Sequence, residues 1–266
     1  MAPEWQLASR RRGTGRPIVL LHGLGASSRY WDRLSDLLAP DSAVVAPDLL
    51  GFGRSPKPRD EAYDVECHLT GLVRLVPEGS ILVGHSLGAV LAASLAARLP
   101  SVVSAAVLVG MPVYPDESTA RREVARLGAL ARLTVDGSRW ARVLCELMCA
   151  LRPLAQAVAP LLIRDLPPEI VRDGTRHTWP SYSRTLSNVI VRHRVQRDLD
   201  ALRVPTMLVH GDRDLEAPLH YAENAASVAK SSRAPVDFLS VDGDHHLPVR
   251  QPDVIAQTIK RRLGRS

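Results

Sequence analysis

The sequence of 266 residues predicts an α/β fold, a doubly wound and mostly parallel sheet with a helical cap insertion. Three observations predict it. Six short apolar runs recur, each ended by Gly, Asp or Pro, and they are near-continuous, as strands covered on both faces require. Helix-like segments separate most of them, which is the alternation of a parallel sheet. The alternation breaks once, between about Met111 and Leu202.

In chain order the runs are "PIVLLHG" at 17–23, "AVVAPDL" at 43–49, "SILVGHS" at 80–86, "SAAVLVGMP" at 104–112, "PTMLVHGDRD" at 205–214 and "VDFLSVDG" at 236–243. Helical patterns are expected over Tyr30 to Leu38, His68 to Leu75, Leu87 to Leu99, Leu219 to Ala229 and Val254 to Leu263. The interval 111–202 is rich in Leu, Ala and Arg, and prolines at 153, 160, 167, 168 and 180 divide it into short helices. The expected organisation is a core of 1–110 and 203–266 with a cap of 111–202 over the end of the sheet.

Composition narrows the function. The N-terminal stretch has no apolar run like that of a signal peptide, and no later stretch is long enough to span a bilayer, so a cytoplasmic protein without stable membrane insertion is expected. Net charge is +6, but the arginines are spread along the chain rather than clustered, which argues against nucleic-acid binding. Cys67, Cys145 and Cys149 follow no metal or disulfide spacing and read as free thiols, the last two on one helix face.

"GHSLG", Gly84 to Gly88, fits the G-x-S-x-G pattern. Alone this means little, since such a match arises by chance in about one chain in ten of this length. Here an apolar strand runs into it and the small-residue helix "LGAVLAASLAARL" leaves it. A serine on that sharp turn projects its hydroxyl above the sheet, and glycine is needed at 84 and 88 because a Cβ would strike the neighbouring strand or helix. The turn also puts the free amide of Leu87 beside Ser86, where a helix N-terminus favours negative charge. A second amide donor is expected from "HGLGAS", at Leu24. His22 in that loop reads as a structural hydrogen-bonding residue.

"HGLG", "DLLGFGRS" (48–55), "GHSLG", "HGDRD" (210–214) and "GDHHLPVRQP" (243–252) occur in the order seen in the α/β-hydrolase fold superfamily, and the chain resembles its serine esterases and lipases with a helical cap over nearly all its length outside the insertion. The resemblance implies a triad in the order Ser, acid, His. Asp214 matches the family's acid, and Asp212 is expected to serve the turn. The loop after the last strand carries two adjacent histidines, whose side chains in an extended segment would face opposite ways. The family's Gly-x-His pattern, seven residues before a proline, selects His245, and His246 is expected to face the sheet or solvent. Asp48 and Ser55 are expected to brace a glycine-rich turn. His68, His177, His193 and His220 have no evident partner and are expected at the surface. The family usually has two antiparallel strands before the His-Gly loop, so the first strand is expected to be missing, and the exposed edge could be covered in a homodimer.

The function expected is hydrolysis of a carboxylic ester or related acyl bond of a small-molecule substrate. Ser86 is the nucleophile, His245 the base, Asp214 its orienting acid, and the Leu24 and Leu87 amides the oxyanion hole. Such chemistry needs no metal or organic cofactor. A thioesterase, an acyltransferase or a carbon–carbon bond hydrolase on the same triad is the alternative, as is a non-catalytic ligand-binding member of the fold. Met111, Trp179 and Tyr182 are candidates for an apolar substrate pocket, with core packing the competing role. The arginines of "ARREVARLGALAR" could dock an acidic carrier protein, but a solvated helix face is the preferred reading.

Overall fold

The computed structural model describes residues 5–229 and 233–263. Seven strands, β1 (Ser9–Arg12), β2 (Arg16–Leu21), β3 (Ser42–Pro47), β4 (Ser80–His85), β5 (Val103–Val109), β6 (Thr206–Gly211) and β7 (Val236–Val241), form one sheet in the order β1-β3-β2-β4-β5-β6-β7. β1 runs antiparallel to β3 and every other pairing is parallel. The Arg-rich stretch is itself β1, so among the described residues one antiparallel strand precedes β2 where the resemblance implies two.

The near-continuous apolar runs are explained by two buried faces. Ile18, Leu20, Ile81, Val83, Ala105 and Val107 pack on one side, under α1 (Asp32–Leu38) and the C-terminal helix, while Val19, Leu21, Leu82, Ala106 and Leu108 pack on the other. That other side is covered by α2 (Val65–Leu72) and α3 (Leu87–Arg98). Each fully buried aliphatic side chain contributes about 1.5–3 kcal/mol. The helix expected from His68 begins at Val65, because the Asp64 carboxylate accepts the Cys67 N–H at 2.9 Å and caps it. The run expected to reach Pro112 stops at Val109, because Gly110 turns the chain at φ +54°.

Between β5 and β6 the chain forms α4 (Glu117–Arg126), α5 (Ala129–Val135), α6 (Arg139–Ala150), α7 (Arg152–Leu162), α8 (Pro168–Gly174), α9 (Trp179–Thr185) and α10 (Val195–Ala201). α9 runs on into a π-helical turn, Leu186–Val191. Asp173 of α8 ties this segment to the loop after β2. Its carboxylate accepts the Ser27 hydroxyl at 2.7 Å and ion-pairs with Arg29 and Arg176 at 3.4 and 3.0 Å. α11 (Leu219–Val228) follows β6, and α12 (Leu247–Arg250) and α13 (Pro252–Leu263) follow β7.

Three histidines expected at the surface are not there. His68 is wholly buried, with Nε2 3.2 Å from the Thr185 hydroxyl. His177 is buried, with Nδ1 2.8 Å from the Gly174 carbonyl. His193 is partly buried and pairs with Asp198 at 2.6 Å. All three partners come from the insertion, which is why reading along the chain does not reveal them. On α4, Arg121 and Arg126 pair with Glu117 and Glu123.

Candidate active site

Ser86 sits between β4 and α3 at φ 52° and ψ −117°, a backbone state rare for a side chain other than glycine. The turn is possible because strand and helix nearly touch. A Cβ at Gly84 would lie 2.2 Å from the Gly88 carbonyl oxygen, and one at Gly88 would lie 2.0 Å from that of Leu21. Among the described residues the amides of Leu24 and Leu87 have no protein acceptor.

Asp214 follows β6 and His245 follows β7, on adjacent parallel strands. His245 Nδ1 donates to Asp214 Oδ2 at 2.8 Å, while Asp214 Oδ1 accepts the amides of Glu216 and Ala217 at 2.9 and 2.8 Å. One carboxylate oxygen is thereby fixed by backbone and the other is turned to the imidazole. This tautomer leaves Nε2 as the acceptor. Burial would push His245 down, but the Asp214 hydrogen bond and the charges of Glu216, Asp214 and Asp244 outweigh it and hold the imidazole above the usual histidine value. Burial would likewise push Asp214 up, and the His245 hydrogen bond and charge bring it below the usual carboxylate value. Gly110 lies against this pair. A Cβ there would be 3.1 Å from His245 Nδ1 and 3.3 Å from Asp214 Oδ2.

Ser86, His245 and Leu24 line one small cavity of about 160 Å³ with Tyr182. A larger apolar cavity of about 570 Å³ lies beneath α6 and α7, and Leu24, Tyr30, Tyr182 and His246 line both. Trp179 lines the larger one. Met111 lines neither. It comes just after the Gly110 turn that ends β5 and is wholly buried in the core, so its side chain fills packing space and not a pocket.

His22 is buried and bridges two loops, accepting the Leu49 amide at 2.9 Å and donating to the Gly23 carbonyl at 2.8 Å. Burial holds it below the usual histidine value. Asp48 accepts the Ser28 and Arg54 amides, and Ser55 accepts that of Ala8. Asp212 accepts the Gly243 amide at 3.0 Å, linking the two loops that carry Asp214 and His245.

Sequence reasoning misplaced His246 and missed its surroundings. His246 faces neither the sheet nor open solvent. It lines both cavities, and its Nδ1 lies 3.2 Å from the Tyr30 hydroxyl. The Tyr30 ring stacks on His85 at 4.7 Å, and His85 Nε2 donates to the His245 carbonyl at 2.8 Å. Burial and the neighbouring histidines hold His85 well below the usual value, so it is neutral. Glu216 places its carboxylate 3.7 Å from His245 Nε2 and 3.8 Å from His246 Nε2. Of these, only His85 had a signal in sequence, its place inside "GHSLG".

A model of the Alpha/beta hydrolase family matches residues 18–258. The chain is 30% identical over 272 residues to Lipase LipV of Mycobacterium tuberculosis, covering 96% of this chain and 97% of that one. It is also 30% identical over 229 residues to the Probable lysophospholipase BODYGUARD 4 of Arabidopsis thaliana, covering 78% of this chain but spanning only 55% of that relative's length. Among solved structures, E-2-(Acetamidomethylene)succinate Hydrolase superposes with a TM-score of 0.73 at 21% identity, over 97% of this chain and 95% of that one.

Proposed function

Because the chain belongs to the alpha/beta hydrolase family, we propose that it is a serine hydrolase cleaving carboxylic esters of apolar acids through an acyl-enzyme. Ser86 Oγ attacks the ester carbonyl while its proton passes to His245 Nε2. The oxygen, now carrying negative charge, is held by the amides of Leu24 and Leu87, where one such donor lowers the barrier by about 3–4 kcal/mol. The carbon–oxygen bond to the alcohol then breaks and the alcohol leaves with the His245 proton. Water attacks the acyl-enzyme, giving a proton to His245, and as the bond to Ser86 Oγ breaks and the acid leaves, that proton passes from His245 back to Ser86. Asp214 keeps His245 in one tautomer and stabilises its charged form.

The observation that carries this reading is the 2.8 Å bond between His245 and Asp214 in a loop pair that lines the same cavity as the strained Ser86. The acyl chain is assigned to the 570 Å³ cavity bordered by Trp179, Tyr182, Leu144 and Met148, a size suited to a small ligand. The segment 111–202 then acts as the cap that sets chain length.

A fluorophosphonate probe tests it. Wild-type protein labels, Ser86→Ala does not, and His246→Ala still does. Among p-nitrophenyl esters, octanoate and longer chains have a kcat/KM at least tenfold above acetate. Failure of the wild type to label would end the hydrolase reading, and a preference for acetate would remove the acyl-chain assignment.

A further inference from the structure

The two helices that roof the cavity present an unusual outer face. On α6, Trp140 and Leu147 are 79% and 53% exposed, and on α7, Leu154, Leu161 and Leu162 are 59%, 65% and 78% exposed. Exposed apolar side chains in this number are the mark of an interaction site. No single helix among the described residues is long and apolar enough to cross a membrane, and α6 and α7 are bent by 107° relative to each other.

We propose that α6 and α7 form a docking surface for an anionic lipid bilayer, lying in its interface without spanning it. Charge supports this occupant. Segment 139–164 contains Arg139, Arg142, Arg152 and Arg164 against one acidic residue, Glu146. Arg142 pairs with Glu146, but the exposed Arg139 and Arg164, at opposite ends of the pair, have no carboxylate partner among the described residues. Apolar side chains between terminal arginines, with an exposed tryptophan, are the pattern of an interfacial helix. A second copy of the chain fits less well, because a self-paired face would set this positive segment against itself.

Continuity with the interior points the same way. Leu144 and Ile163, one from α6 and one at the end of α7, are 53% and 46% exposed and also line the 570 Å³ cavity, so the exposed apolar face and the cavity share residues. A bilayer on this face would lie beside the cavity lining, which would shorten the path of an acyl chain from lipid to cavity. This last step rests on the hydrolase reading. The docking itself does not.

Docking is therefore measured on Ser86→Ala protein, with vesicles of phosphatidylcholine alone or mixed with phosphatidylglycerol. Co-sedimentation is expected to be at least tenfold stronger with the mixed vesicles and to weaken in high salt. Trp140 emission should shift to the blue on binding, and Trp140→Phe should abolish the shift. The double variant Leu154→Glu with Leu161→Glu should bind at least tenfold less. In a Ser86 background it should keep p-nitrophenyl acetate hydrolysis within twofold and an unchanged circular dichroism spectrum. No binding to mixed vesicles overturns the proposal. So does a vesicle-free dimer that the same double substitution dissolves.

Discussion

At the scale of single residues, the proton balance of His245 is set by more than its acid partner. Glu216, 3.7 Å from Nε2, is among the charges that raise the imidazole. The proposed reaction needs His245 neutral, so the acid limb of the kcat/KM profile is expected to follow this raised value. Glu216→Gln should move that limb to lower pH with little change in the plateau, and a pH series on a p-nitrophenyl ester measures it. His85 acts through another residue: its Nε2–H holds the His245 carbonyl, while its ring stacks on Tyr30. His85→Phe keeps the ring and loses the donor. It should lower kcat by about 10-fold or more, by the scale of one lost hydrogen bond to a buried carbonyl, with KM little changed and slower fluorophosphonate labelling. Ser86 and His245 were readable because their signals are local: a strand-to-helix motif and a Gly-x-His spacing. Glu216, Tyr30 and Gly110 were not, since their roles arise from loops that meet only in three dimensions.

At the scale of elements, α8 is linked to the loop after β2 by the Ser27 hydroxyl and the Arg29 guanidinium, both on Asp173. Ser27 donates to Asp173 at 2.7 Å and accepts the Arg29 amide at 3.2 Å. Ser27→Ala leaves a buried carboxylate oxygen short of a donor and should cost about 1–2 kcal/mol in urea unfolding. The strands were legible because both faces are buried, and β2, β4 and β5 alternate between the two apolar layers residue by residue. β1 was harder. Its sequence, Ser-Arg-Arg-Arg, has no apolar pattern, and its strand state comes from pairing with β3 and from Arg10 and Arg12 reaching Asp32. Some helix starts inside 111–202 could be placed from prolines, since Pro153, Pro168 and Pro180 lie in first turns, but Pro160, expected to divide the segment, lies inside α7. What those helices touch could not, as Met111 and His177 illustrate.

At the scale of the whole molecule, buried neutral histidines predict an acid-sensitive fold. Burial pushes His68 to about 3 and His177 and His210 to about 4. Each is depressed in the folded state, so between about 6.5, the usual value, and these values the unfolded chain binds more protons. Stability therefore falls as pH falls through that window, with a slope of about 1.4 kcal/mol per pH unit for each proton taken up. His245, raised in the folded state, acts in the opposite sense: its contribution is present below its unfolded value and is lost as pH rises through its folded one. The urea midpoint at pH 5 should be clearly below that at pH 7.5, and a flat profile would refute the assignment of three neutral histidines. The π-helical turn Leu186–Val191 has a different consequence. A π turn is an α-helix carrying one residue too many, and here Leu186 and Ile190 of that turn line the same cavity as Ser86. Losing a single codon in this stretch would restore regular α winding with the chain beyond it kept in phase, and would change which side chains of the turn face that cavity. A deletion of one residue there would therefore reshape the cavity wall while leaving the sheet untouched.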